Sequence, residues 1–437
     1  MLEWFEVENF KSIKKLKLNF SPLMVFVGPN AAGKTNIIQA LSLFLDILNF
    51  GSTAPIDVYS YDQIVRRKKQ PSRSGLRFAL RCPYPINRMH GSPNPTTINA
   101  IIEVELVLKQ EREFDSVHII KELFKISIEN QERFRFYFEE GKPAELVLDQ
   151  REGGSQSTQS GESLHDLFDM QWLPKTYVQQ HIEEYKKRDW TESDPTKPKY
   201  TEILTTFFSN RLADAFPSCT RLRLDATSLR RDVQVGISRY TQPFELAGEG
   251  LPLAIERLKR KGGSASKFNN VLNLMKVVYP GIENISTKHF QPGRVALSIK
   301  EKAIGDELGE GNISDGVIHA LALLVALEDT PAKNVLAIEE PENALHPWAL
   351  HTIIANAQER AARREPLLFT THSPILVNAI KDPASLYIVE NDPKLGTTVT
   401  SAIVKEHALA KILADSGQKL GDIWFDGTLG GVPGEPF

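Results

Sequence analysis

Four short stretches carry residue types whose spacing suits chemistry on a phosphate. The first is Gly28-Pro-Asn-Ala-Ala-Gly33-Lys34-Thr35, which fits G-x-x-x-x-G-K-[ST]. Such a turn cradles a polyphosphate with backbone N–H groups at a helix N-terminus. Lys34 then reaches the β- and γ-phosphates, and Thr35 ligates Mg²⁺. The second is "NVLAIEEPENALHP", where an apolar strand ends in Glu339 and Glu340. One carboxylate can hold the water shell of the metal, and the next can polarise an attacking water. A solvated turn is the other reading of two adjacent acids. The third is "LLFTTHSPIL", a buried strand ending at His372. A histidine there can bond the γ-phosphate and sense its loss. The fourth is "NISDGVIHALALLVAL", where Ser314 stands at an N-cap position before an apolar helix. Its hydroxyl and the following N–H groups offer a second anion site.

These stretches need a scaffold, and the pattern around them supplies one. Met24 to Val27 reads as a buried strand and Asn36 to Leu45 as a helix, so the glycine turn has a strand before it and a helix after. "LEWFEVENF" and "KKLKLNF" are short alternating segments of the kind that form an antiparallel pair. Gly51 to Thr97 is rich in Pro, Ser, Arg and Gly and is expected to be mostly loop. Strand-like pieces follow up to Val147, and the polar "QREGGSQSTQSGES" marks a boundary. Leu164 to roughly Ile285 is expected to be mostly helical, without heptads sustained enough for a long coiled coil. From Val295 strands alternate with helices again, which predicts a mainly parallel sheet covered by helices. The acidic strand is expected beside Met24 to Val27, the strand that leads into the glycine turn, or P-loop. A nucleotide domain split by a long insertion follows, with expected divisions 1–150, 151–290 and 291–437.

Bulk properties narrow the class. The chain has 437 residues, enough for two or three domain-sized units. Its net charge of −3 argues against a strongly basic nucleic-acid coat, though not against a local basic patch. Cys82 and Cys219 lie far apart, with no metal-ligand spacing, and suit a reducing compartment. No signal-peptide core and no bilayer-length apolar run is evident. The expected location is the cytoplasm.

The order P-loop, Ser-containing turn, acidic strand, histidine strand resembles the ABC-type ATPase head, and most closely the RecF/SMC/OLD-like group of AAA-labelled ATPases. "ENFKSIKKLKLNFSPLMVFVGPNAAGKTN", "IEEPENALHP" and "TTHSP" are similar to that group; "ISDGV" resembles its L-S-G-G-Q signature, with Asp315 and Val317 as departures. The resemblance covers roughly the first 50 and last 140 residues directly. The fold it implies is α/β: an ABC-type P-loop head with a mixed sheet, an antiparallel β-lobe and a mainly helical insertion. The site it implies has ATP and Mg²⁺ held in cis by Asn30, Gly33, Lys34, Thr35 and Asn36, with Asn9 and Lys11 near the adenine. Thr35 and Glu339 take the metal, and Glu339 stands where Asp is usual. Glu340 activates water, and His372 helps position it. Ser314, Asp315 and Gly316 of a second head touch the same γ-phosphate in trans. The glutamine that links the γ-phosphate to the middle domain is not obvious; Gln179 or Gln180 is a candidate, and a plain surface pair is the other reading.

Two heads that sandwich ATP form a switch as much as an enzyme. One function to expect is a sensor and scaffold that gates a separately encoded effector, a nuclease by preference, in bacterial anti-phage defence. The sequence after Ser385 is short for a nuclease domain and has no acidic metal cluster, so a nuclease would be another chain. The alternative is a DNA repair or chromosome-maintenance ATPase. It would need a basic groove, for which Arg66 to Lys69 and Arg221 to Arg231 are candidates. Partners to expect are a second copy, an effector or DNA, and no membrane. The ending "LGDIWFDGTLGGVP" resembles the ending of stand-alone ATPases in this group, with no role derivable from its residues.

Overall fold

Short β-branched and apolar runs become the strands that carry the chemistry. The computed structural model describes residues 2–50, 61–66, 75–88, 96–111, 116–128, 130–139, 145–148, 216–234, 247–260, 265–290, 293–303, 305–405, 413 and 417–432. The chain divides into two units. The first is Phe10–Asp46 with Pro217–Phe437, and the second is Leu2–Asn9 with Ile47–Phe216.

The strands, in chain order, are β1 (Trp4–Phe10), β2 (Ile13–Asn19), β3 (Leu23–Val27), β4 (Leu76–Arg88), β5 (Thr96–Glu111), β6 (Ser116–Ile128), β7 (Gln131–Glu139), β8 (Glu145–Leu148) and β9 (Cys219–Leu222). They continue with β10 (Val233–Gln234), β11 (Ile282–His289), β12 (Arg294–Glu301), β13 (Glu307–Gly309), β14 (Val335–Glu339), β15 (Leu367–Thr371), β16 (Leu386–Asp392) and β17 (Gly396–Ser401).

In the first unit the strand order is β2-β17-β16-β3-β15-β14-β9. β9, β14, β15, β3 and β16 run parallel, and β17 and β2 add antiparallel pairings. The sheet is therefore mixed. β3, β14 and β15 are buried at every residue, as parallel strands covered on both faces must be. The helix Asp315–Asp329 is apolar nearly all round and buried from Ile318 to Glu328. It shares one apolar core with residues of β3, β14, β15 and the helices Leu251–Arg260 and Ala265–Val278. A smaller antiparallel sheet, β10-β12-β11 with β13 on β12, belongs to the same unit.

The second unit holds an antiparallel lobe in the order β8-β7-β6-β5-β4-β1. A ladder of charge crosses its β1, β4 and β5 strands: Arg77 binds Glu6 at 3.0 Å, Glu8 at 3.1 Å and Glu105 at 3.0 Å. Opposite charges on neighbouring strands help set the register.

Several expectations change. Residues 76–88, expected as loop, form β4. Pro83 and Pro85 obscure its alternation, and both lie beyond Arg81, the last residue of β4 paired with β1. The acidic strand does not lie beside the P-loop strand, because β15 pairs parallel with both and stands between them. Residues 217–290, expected within the insertion, join the first unit, where β9 extends the sheet beside β14. "TTVTSAIV" is strand only to Ser401, and Ala402–Lys405 is helical. Gln179, Gln180 and most of the expected helical insertion lie outside the described residues. Among the described residues no helix is long and apolar enough to cross a membrane.

Candidate functional site

The C-terminal ends of three neighbouring strands build the site. β3 runs into the glycine turn and the helix that starts at Lys34. β15 ends at Thr371, and β14 ends at Glu339. Ligands gather at this edge of a parallel sheet because helix N-termini point their free N–H groups there.

The turn is tightly braced. Gly33 has φ +107°, and a Cβ there would fall 2.1 Å from Thr397 Oγ1, so only glycine fits. Thr397 donates to the Ala32 carbonyl at 3.0 Å and shares a 2.6 Å hydrogen bond with Ser12. Asn36 donates to Ser12 Oγ at 2.7 Å, which spends its amide on the brace. Lys34 is 6% exposed and donates to the carbonyls of Gly28 at 2.7 Å and Pro29 at 3.0 Å. Burial pushes its pKa down to about 8, while the carboxylates of Glu340 and Glu342 pull it back up. Asn30 is exposed on the turn. Lys11 donates to Gln39 Oε1 at 2.6 Å; burial first, and then Arg221, hold its pKa below the usual value. Asn9 belongs to the second unit, where its amide donates to the Gly75 carbonyl at 3.0 Å.

The two acids sit in different surroundings. Glu339 is 4% exposed, and both its oxygens are engaged: Thr35 Oγ1 donates to Oε2 at 2.7 Å and Arg221 Nε to Oε1 at 2.6 Å. The register opposes Ala337 to Arg221, two residues short of Glu339, so both side chains share a face. Glu340 follows with φ +50°, a left-handed conformation that costs a non-glycine residue energy. That turn frees its carboxylate from the strand. His372 Nε2 and Arg223 Nη2 each lie 4.0 Å from that carboxylate, and Asn343 donates to it at 3.1 Å. Desolvation, and next the charge of Lys34, lower the pKa of His372, so its neutral form is favoured.

Ser314 is the N-cap of Asp315–Asp329, with extended dihedrals and no side-chain capping bond. Ser314 and Asp315 are exposed. Asp315 pairs with Arg230, which also donates to the Ile313 carbonyl at 2.8 Å. That arginine bond holds the Asp315 carboxyl below the usual range.

The structure thus brings together Lys34, Thr35, Glu339, Glu340 and His372 in one chain. Ser314, Asp315 and Gly316 stand on a turn of their own, at the start of a separate helix. Sequence reasoning missed three participants. In the sequence Arg221 reads only as part of a basic cluster, Glu342 does not stand out inside "EEPEN", and Thr397 gives no local signal.

The family model described as AAA ATPase domain matches residues 1–377. The chain belongs to this family. Short stretches are also similar to curated proteins. One is 35% identical over 72 residues to an OLD nuclease of Thermus scotoductus, covering 13% of this chain and 14% of that protein. Another is 47% identical over 38 residues to the DNA replication and repair protein RecF of Lactobacillus johnsonii, covering 8% and 10%. The matches thus span a small fraction of those relatives. Among solved structures, an Smc head bound to the C-winged helix domain of ScpA aligns with 94% of this AAA-family chain and 99% of its own, at TM-score 0.49 and 14% identity. An Smc head domain with an extended coiled coil, bound to the C-terminal domain of ScpA derived from Pyrococcus furiosus, aligns with 95% and 99%, at TM-score 0.44 and 13% identity. The short likenesses to an OLD nuclease and to RecF agree with the resemblance of its motif order to the RecF/SMC/OLD-like group.

The ending of this AAA-family chain now has a structural setting. The helix Leu420–Phe425 packs on Pro374–Asn378, the helix after His372. Gly421 N donates to Asn378 Oδ1 at 2.7 Å, and Gly431 N to Glu390 Oε1 at 3.0 Å. Ile423, Trp424 and Leu429 are buried. The motif is therefore part of the first unit's core.

Proposed function

We propose that this chain binds and hydrolyses ATP, and that two copies engage around it through their Ser314 turns. The observation that carries the reading is the convergence of Lys34, Thr35, Glu339, Glu340 and His372 at one sheet edge. Lys34 would leave its carbonyls for the β- and γ-phosphates. Thr35 and Glu339 present hard oxygen donors already 2.7 Å apart, which fits a Mg²⁺ that also binds phosphate and water. That ion would neutralise phosphate charge. Glu340, turned out of the strand, accepts a proton from the attacking water, and His372 holds the water or the γ-phosphate oxygen in line. Arg221 holds Glu339 Oε1 and so restricts the extra freedom that the longer side chain brings. The exposed Ser314 turn, with a helix N-terminus behind it, supports engagement of a second head.

Within that frame the preferred role is a nucleotide-gated scaffold for a separately encoded effector, a nuclease by preference, in anti-phage defence. The local likeness to an OLD nuclease supports it. Part of the arginine cluster considered for DNA is spent inside the molecule: Arg221 serves Glu339 and Arg230 serves Asp315, while the side chains of Arg223 and Arg231 stay exposed. This weakens the direct DNA reading, which the likeness to RecF keeps as the alternative.

The test is native mass spectrometry of Glu340→Gln protein captured from its host with ATP and Mg²⁺. A second, smaller protein bound to the ATP-locked assembly supports the effector role. A homodimer alone, with DNA-stimulated turnover in the wild type, favours the alternative. A monomer with ATP bound refutes head engagement.

A further inference from the structure

Glu342 is used by none of the roles above, yet it is built into the same edge of the sheet. Its Oε1 accepts two hydrogen bonds, from Thr371 Oγ1 at 2.6 Å and from the backbone N–H of His372 at 3.0 Å. Thr371 Oγ1 in turn accepts from Ser373 N at 2.9 Å. Ser373 caps the helix Pro374–Asn378 by accepting from Leu376 N at 3.3 Å. One carboxylate oxygen therefore ties the end of β15, the histidine and the start of the next helix into a single unit.

The location of Glu342 in the chain makes the tie informative. It lies two residues after Glu340, on the turn that leaves β14. That turn is closed by Asn343 N donating to the Glu340 carbonyl at 3.1 Å, while Glu340 N donates to the Thr370 carbonyl at 2.8 Å. The segment that aims Glu340 thus also carries the clamp on His372. The backbone bond to Thr370 and the side-chain bonds to Thr371 and His372 join neighbouring strand ends at three successive residues. A carboxylate rather than an amide sits here although its second oxygen, Oε2, is buried without a partner among the described residues. An unpaired buried oxygen is costly, so the position is not explained by stability alone. Lys34 and His372 both feel the charge of Glu342.

We propose that Glu342 is the positioning residue for His372, coupling the histidine to the water-activating turn at Glu340 so that the two groups move as one. Glu342 does not touch the reacting atoms. It fixes the separation across which Glu340 and His372 face each other, now 4.0 Å.

The test has two readouts, of which only one depends on the hydrolysis reading. The first is the ¹H–¹³C imidazole resonance of His372 in the full chain, assigned with His372→Gln. Glu342→Ala should shift or broaden it. Glu342→Gln keeps an oxygen that accepts both bonds, and should restore it. The second is ATP turnover against the affinity of a non-hydrolysable ATP analogue. Glu342→Ala should lower turnover by about ten- to a hundredfold, the range expected when a catalytic group is misplaced by up to an ångström. Analogue affinity should stay within about twofold, since no phosphate contact is removed. Glu342→Gln should recover most of the rate. If Glu342→Ala does not fold, Thr371→Val removes one of the clamped donors at nearly the same shape and is held to the same criteria. An unchanged His372 resonance in the alanine variant, or equal losses of affinity and rate, overturns the proposal. A wild-type chain without turnover would count against hydrolysis, while the resonance would still decide the clamp.

Discussion

The glycine turn before Lys34 and the turn at Ser314 are both helix N-termini with a hydroxyl and a glycine, and they are finished in opposite ways. At the first, Gly33 abuts Thr397, Thr35 is bonded to Glu339 and Lys34 is folded inward. At the second, Ser314 makes no capping bond, Asp315 is exposed, and Arg230 is the partner across from it. The same local physics, free N–H groups at a positive helix end, is thus completed in cis at one place and left open at the other. A turn that is preorganised by its own chain suits tight binding of a free ligand. A turn open to solvent suits a ligand that arrives already held by another surface.

The largest effect should come from breaking the closed turn. Lys34→Ala removes the one cation that the turn folds inward, and ATP binding should be lost in calorimetry while the fold persists. Normal binding by this variant would sink the P-loop assignment. Next comes the catalytic edge. Glu340→Gln should keep ATP binding and slow hydrolysis by about 10²- to 10⁴-fold, the usual worth of a general base. If Glu339→Gln proves the more severe change in hydrolysis with binding intact, the two acid roles are reversed. Opening and closing the second turn should be felt only between copies. Ser314→Arg should leave the affinity of one head for ATP unchanged and abolish both ATP-dependent dimerisation, measured by light scattering, and turnover. Unchanged turnover would refute a shared site.

This contrast also marks what could be read from residues in a row. The P-loop, Glu339-Glu340, His372 and the Ser314 turn are contiguous motifs, each ending one strand or opening one helix, so local pattern was enough to find them. The strand that β14 lies beside is not legible in sequence, because fully buried parallel strands carry the same apolar run whatever their neighbour. The brace was invisible for a related reason. Ser12 and Thr397 meet across 385 positions of sequence, and nothing in either segment names the other. Arg221 sat in a run of arginines that reads as a solvated or nucleic-acid-binding patch. Only the pairing of β9 with β14 turns its side chain onto Glu339. Glu342 was legible as a residue type but not as a contact, since its partners belong to the next strand.

The smallest expected effect sharpens the comparison most, because it separates the two turns by protonation alone. Burial sets the free Lys34 ammonium to titrate near about 8. Phosphate binds the charged form, so a bound γ-phosphate raises this pKa, and the free chain must take up a proton on binding above it. ATP affinity should therefore fall with rising pH once about 8 is passed, by about fivefold between pH 8 and 9. The open turn holds no lysine: its backbone N–H groups do not titrate there, the bond from Arg230 holds the Asp315 carboxyl below the carboxylate range, and His319 Nδ1 lies 2.8 Å from the Asp315 carbonyl. At saturating ATP, dimerisation of Glu340→Gln should then be flat over the same interval. Unfolding cannot mimic the loss through this residue. The unfolded lysine, with its ordinary value of 10.5, binds more protons than the folded one between about 8 and 10.5, so Lys34 makes the free chain more stable as pH rises through that window. Isothermal titration at pH 7, 8 and 9 beside light scattering at saturating ATP checks both halves. Equal pH dependence of the two would mean that the turns are not separately finished, and that Lys34 also governs the contact between copies.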